Sequence, residues 1–149
     1  MNARTHFKHW DIVREDLIDA IDRLSEEHLD FVPVAGLWSL GTVLRHIANA
    51  EEGWFRYVVE RQYNEWPPDY TAEDYPTIAS VKALLAETHA RTDAYLEALD
   101  EADLDTRIPT SGGDTSIRWV IWHVIEHEIH HRGEVFLMLG MLGIAAPDI

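Results

Sequence analysis

Cysteine is absent from this 149-residue sequence. Disulfides, thiolate nucleophiles and iron–sulfur ligation are therefore excluded, and any metal must be held by histidine, carboxylate or water. Absence of cysteine fits a reducing compartment. No segment resembles a signal peptide, since Met1 to His9 is polar and basic-aromatic with no apolar run after it. The expectation is a cytoplasmic protein. Long apolar runs are missing too: no stretch approaches about 18 uncharged apolar residues, so no membrane span is expected. Positive charge is scarce, with 12 Lys and Arg against 27 Asp and Glu and a formal net charge of −15. A field of that sign repels nucleic-acid backbones. No basic stripe or zinc-finger spacing offsets it, so nucleic acid is not an expected partner. The acidity is read as solvated helix faces that keep the chain soluble. Ser111-Gly112-Gly113 lacks the lysine and context of a phosphate loop. No serine or lysine has a triad neighbourhood.

What is present is helical periodicity. Phe7, Trp10, Leu17, Ile21 and Leu24 recur at multiples of three and four, with Val13 or Arg14 between them, and predict a first helix over about Thr5 to Leu24. Ser25 to Leu29 is expected to form a turn of helix, and Asp30 to Leu37, with Pro33 and Gly36, an extended connection. Ser39 is an N-cap for a second helix, with Trp38 before it as a hydrophobic staple. That helix runs to about Arg61 with Gly53 inside it, where a close contact or space for a ligand would explain the glycine. Residues 64 to 76 form a loop rich in proline, acid and aromatics, with Trp66, Tyr70 and Tyr75 laid over the bundle or an interface. A third helix spans about Thr77 to Leu99, a loop covers 100 to 114, and a fourth helix, capped by Thr115 or Ser116, spans about Ile117 to Gly140. No strand pattern competes strongly with helix. The expectation is one all-α domain over residues 1–149, a four-helix bundle, with long crossovers available at 25–38 and 62–76. Trp38, Trp54, Trp119 and Trp122 are expected mainly in the bundle core, with one or two at the mouth of a pocket.

The chemistry concentrates on histidine. There are nine, and four lie between Trp119 and Glu134. On a helix His127 and His131 sit about 40° apart and one turn of rise apart. Imidazoles so placed can bind one divalent ion, and both lie on the stripe that faces the core. An unsatisfied buried pair would be costly. His46 flanks the apolar Val43–Ile47–Ala50 face of the second helix and offers a third ligand, although the sequence alone does not fix which residue faces the pair. Three histidines with water in the fourth position would make a catalytic rather than a structural type of site. His127-Glu128-x-x-His131 also matches the His-Glu-x-x-His pattern of zinc peptidases. A small helical chain has little room for an extended peptide, and Glu128 is expected to face water. Glu134 shares the face of His127 and His131 and is a candidate to orient a ligand, hold water or act as a base. His123, one turn before His127, is a candidate to contact substrate, and His130 a rim residue.

The segments Trp38 to Ala48 and Trp119 to Glu134, above all His127-Glu128-Ile129-His130-His131-Arg132-Gly133-Glu134, resemble the DinB-like family of metal-binding four-helix bundles. The resemblance extends over almost the whole chain. It implies a metal triad of one histidine from the second helix and two from the last, here His46, His127 and His131. Many relatives carry glutamine where this chain has Glu134, which alters the charge of the pocket. The resemblance further implies a homodimer, with the 62–76 loop as a candidate interface. It implies a hydrolase or a transferase using a low-molecular-weight thiol, acting on a small-molecule substrate; a non-catalytic metal-binding stress-response protein is the third reading. A thiol cofactor would need a cationic group, for which Arg45 and Arg132 are candidates. Zinc or nickel suits three imidazoles and water best, with iron, cobalt or manganese also compatible.

Overall fold

A computed structural model describes residues 2–149 and shows five α-helices and one small hairpin. Helix α1 (Ala3–His6) is a single turn, followed by α2 (His9–Asp22), α3 (Leu40–Glu52), α4 (Ile78–Glu97) and α5 (Ile117–Met141). The last four form the bundle. Helix α2 packs on α4 and α5, and so does α3, which leaves α2 and α3 across a diagonal. The expected crossover before α3 is therefore present. The second one is the 98–116 connection between α4 and α5, because 60–77 joins the neighbours α3 and α4.

Helix starts follow their caps. Ser39, Thr77 and Ser116 each accept a hydrogen bond from a backbone N–H three residues on, at the starts of α3, α4 and α5. The continuous first helix expected from periodicity is instead broken at Phe7 and Lys8. The break turns α1 so that Ala3 N–H donates to the Leu99 carbonyl and Phe7 packs edge-on against Trp122. Tertiary contacts outweigh local propensity there. The 100–114 loop holds a 3-10 turn (Glu101–Asp105) and β1 (Arg107–Thr110), which pairs antiparallel with β2 (Gly113–Ser116) in the register Arg107↔Ser116. Gly113, at φ +115, makes the turn in a conformation other residues avoid.

Beyond Glu52 the second helix widens into a π-helix, Gly53–Val59. Gly53 explains itself here. A Cβ at that position would lie inside the indole of Trp66, which rests directly on the glycine backbone. Trp66 donates to Asn49 Oδ1 at 2.9 Å, and Asn49 donates to the carbonyls of Pro67 and Pro68. Residues 62–76 are thereby strapped along α3.

The apolar core is in two parts. One contains Leu17, Ile21, Leu44, Ile47, Leu85 and Leu139; the other contains Trp10, Val13, Phe55, Leu96, Val120 and Ile121. Between them lies a buried polar layer. Arg14 donates to both Glu128 oxygens, to Glu51 and to the Leu85 carbonyl; Trp10 Nε1 donates to Glu128; His89 Nδ1 faces Glu51 at 2.9 Å. Glu128 is thus not the solvated residue expected from its position beside His127. It is 1% exposed, because the 100° step of the helix turns it toward α2. The tryptophans are corrected as well. Trp38, Trp119 and Trp122 are 50%, 48% and 55% exposed, and the tryptophan at the centre of the core is Trp10. No helix among the described residues is long and apolar enough to cross a membrane.

Candidate metal centre

His46 projects from the middle of α3, and His127 and His131 from successive turns of α5, which packs beside it. Their rings converge. His46 Nε2 lies 3.0 Å from His127 Nε2, and His131 Nε2 lies 3.2 Å from the same atom. All three candidate ligand atoms lie within 4.8 Å of one another. Two nitrogens bound tetrahedrally to one zinc ion at its usual bond length stand about 3.3 Å apart. The cluster is close to that spacing, so the donor set fits a divalent ion.

Protonation favours the same reading. Glu134 Oε2 lies 2.7 Å from His131 Nδ1. A carboxylate only accepts, so Nδ1 carries the proton, and in the neutral ring Nε2 presents a lone pair to the cluster. Burial pushes the His127 pKa down to about 3, with further lowering from the neighbouring His131 and His46. Burial and His131 likewise lower His46, against the opposing pull of Asp69 and Glu134. Neutral imidazoles are the ligand form.

The surroundings divide into two cavities separated by Trp38. Its indole lies 4.8 Å from the His46 ring and 6.4 Å from the His131 ring, nearly parallel to the latter. On the His46 side a small cavity of about 90 Å³ is lined by Trp38, Thr42, His46, Asp69 and Tyr70. Burial, aided by Glu52, raises the Tyr70 hydroxyl to about 12, so it remains protonated. On the His131 side a cavity of about 510 Å³ reaches His131 and Glu134.

The structure brings together His46, His127, His131 and Glu134. His123 stands apart from them, its ring stacked on Trp119 at 4.8 Å and edge-on to Trp54. His130 is exposed, with Nε2 3.2 Å from Glu134 Oε1. Arg45 is buried and donates to the Tyr75 carbonyl, while Arg132 pairs with Asp16. Trp38 does line the mouth of the site. Asp69 and Asn49 were not anticipated, and Tyr70 was expected over the bundle or an interface rather than beside His46. A polar residue at position 49, three after His46, is the only local hint, and it gains meaning once the strap is seen to be pinned there.

The sequence pattern of the DinB superfamily matches residues 9–135. The chain is 24% identical to YrdA of Bacillus subtilis (strain 168) over 149 residues, covering 97% of this chain and 86% of that one. It is 28% identical to YjoA of the same organism over 126 residues, covering 82% and 79%. The crystal structure of the DinB-like protein YjoA superposes with a TM-score of 0.75 at 22% identity, over 95% of this chain and 94% of that one. A DinB-like protein from Bacillus cereus ATCC 10987 superposes with a TM-score of 0.71 at 22% identity, over 99% and 97%. With the family pattern spanning all four bundle helices and both halves of the histidine cluster, this chain belongs to the DinB superfamily.

Proposed function

We propose that this chain binds one divalent metal ion, zinc or nickel, on His46, His127 and His131, and that the loaded protein is a hydrolase acting on small molecules. The observation that carries this reading is the convergence of three imidazole nitrogens, two pairs of them 3.0 and 3.2 Å apart. When bound, the ion supplies a Lewis acid held by three neutral ligands. The residues around it divide the remaining work. Glu134 Oε2 accepts the His131 Nδ1 proton and fixes that ring's tautomer and direction. Asp69, lining the cavity beside His46, is the carboxylate placed to take a proton from a reactant there. Tyr70, kept protonated, is a hydrogen-bond donor in the same cavity. The Trp38 indole packs against one flank of the cluster, 4.8 Å from the His46 ring.

Charge weighs against the thiol-transferase alternative. A low-molecular-weight thiol bearing carboxylates would meet Asp69 on one side of the cluster and Glu134 on the other. Arg45 and Arg132 are already engaged by Tyr75 and Asp16.

The test is metal analysis of gently purified protein beside His46→Ala and His127→Ala. The expected result is about one ion per chain, lost in both variants, followed by metal-dependent turnover in a screen of small esters and amides. Absence of metal after purification, with no uptake of added zinc or nickel, overturns the proposal.

A further inference from the structure

The larger cavity beside the histidine cluster is lined mostly by apolar side chains. Its walls are Val34, Leu37 and Trp38 from the connection before α3, and Leu137, Met138 and Met141 from α5. The ionisable side chains that line it are His131 and Glu134. On α5 the lining residues His131, Glu134, Met138 and Met141 follow at steps of three and four, so they form one stripe. Ten residues of helix separate its ends, a rise of about 15 Å. The cavity is thus a trough with a metal-ligating end and an apolar end. Its volume of about 510 Å³ falls within the range of small-molecule sites. Four of the apolar residues, Val34, Leu37, Leu137 and Met141, are more than half exposed. Two of the wall residues are methionines, whose unbranched side chains repack around ligands of different shape.

From this arrangement we infer that the ligand of the cluster is amphipathic: a small molecule whose polar head reaches the histidines and whose alkyl or aryl tail lies in the trough along α5. The inference rests on the metal-binding reading and adds the class of substrate to it. A wholly polar ligand would leave the trough wet, and a polar tail buried against leucine and methionine would lose hydrogen bonds to water without replacement. Only an apolar tail gains from these walls. Trp38 sets the junction, since the same indole lines the trough and stacks on His131.

The probes are acetohydroxamic and octanohydroxamic acid, which share a metal-ligating head and differ in tail length. Binding to zinc-loaded protein is followed by calorimetry, with the zinc content of each sample measured first. Octanohydroxamic acid is expected to bind at least about 100-fold more tightly, from the added methylene groups. Leu137→Glu and Met141→Glu, both at exposed positions, are expected to remove that increment. They should leave zinc content and acetohydroxamate affinity unchanged. Equal affinity of the two probes, or an increment that survives both substitutions, overturns the inference. So does sedimentation showing a wild-type dimer that Leu137→Glu dissociates, with no tail preference, because the trough would then cover a second copy. Should the protein take no zinc, the metal reading fails by itself. The trough is then tested on metal-free protein, where octanamide but not acetamide shifts the methyl resonances of Leu137 and Met141 if the tail site is real.

Discussion

Two polar clusters occupy the same pair of helices and are built on opposite principles. Helix α3 supplies His46 to one and Glu51 to the other; α5 supplies His127 and His131 to one and Glu128 to the other. In the interior layer every nitrogen of Arg14 and every oxygen of Glu51 and Glu128 has a partner within the protein. Apart from His89 Nε2, which is buried without a hydrogen-bond partner, the layer is closed, and the charges of Arg14, Glu51 and Glu128 are matched across α2, α3 and α5. The histidine cluster is open. Three imidazole Nε2 atoms converge on one point with only one another as partners within the protein, 3.0 and 3.2 Å apart. A closed buried network fixes how helices pack. An open one asks for a ligand. Neighbours in sequence, His127 and Glu128, fall on opposite sides of that divide.

The largest effect should come from breaking the closed side. Glu128→Ala leaves Arg14 buried with one carboxylate fewer and removes the Trp10 Nε1 acceptor. Loss of one partner from a buried ion pair costs about 3–5 kcal/mol. Urea unfolding should show a loss of that size, while His127→Ala, on the open side, should change metal-free stability by less than about 1 kcal/mol and abolish metal uptake. Comparable destabilisation by both substitutions would erase the distinction between the clusters.

Acid should attack the closed side in the same order. Burial is the largest single influence on Glu51 and would raise it, but the charge of Arg14 together with His89 and the Thr92 hydrogen bond outweighs burial, holding the carboxyl at about 2 against an ordinary 4.5. A depressed carboxylate stabilises the fold fully above its unfolded pKa and loses that contribution as pH falls through the folded value. The loss should therefore develop between about pH 4.5 and 2 and be on the order of 3 kcal/mol. Melting temperatures of wild type and Glu51→Gln across that window check it: the wild type should fall more steeply, and parallel curves would remove Glu51 from the account.

On the open side Glu134 is the nearest thing to a closing contact. Glu134→Ala removes the acceptor that orients His131 and should weaken zinc binding about 10- to 100-fold, measured against a chelating dye. Glu134→Gln keeps an acceptor oxygen but loses its charge, so it should fall between wild type and alanine. Unchanged affinity in the alanine variant would make Glu134 a bystander.

The difference between the clusters also decides what the sequence could reveal. Helix spacing was legible because apolar periodicity and the caps Ser39 and Ser116 are local signals. His127 and His131 were legible because their spacing puts them on one face. His46 needed the family resemblance, since nothing local says which residue of α3 meets α5. Glu128 was misplaced for a related reason. Periodicity marks a residue off the main stripe as exposed, and only the approach of Arg14 and Trp10 from α2 makes its burial tolerable. The break at Phe7 and the hairpin over 107–116 depend on contacts distant in sequence, so neither left a local pattern strong enough to override helix or loop.

The smallest effect tests how the open site is covered. The 62–76 strap owes its position to Trp66 lying on Gly53 and to Asn49 holding the carbonyls that follow. Gly53→Ala adds about 1 kcal/mol of helix propensity but forces Trp66 away, an overpacking cost of about 1–3 kcal/mol. The net change should be a loss of about 1 kcal/mol. It should come with displacement of Asp69 and Tyr70 from His46, seen as higher amide exchange over 64–72 and none in α2. In a Trp66→Ala background the clash is gone, and the same glycine substitution should become neutral or stabilising. That reversal of sign is the decisive feature, because a cost that persisted without Trp66 would belong to the π-helix itself. The strap would then be held by its hydrogen bonds, Asn49 to the carbonyls of Pro67 and Pro68, Arg45 to that of Tyr75 and Tyr63 to Glu52, and access to His46 would be set by these rather than by the packing of a ring on bare backbone.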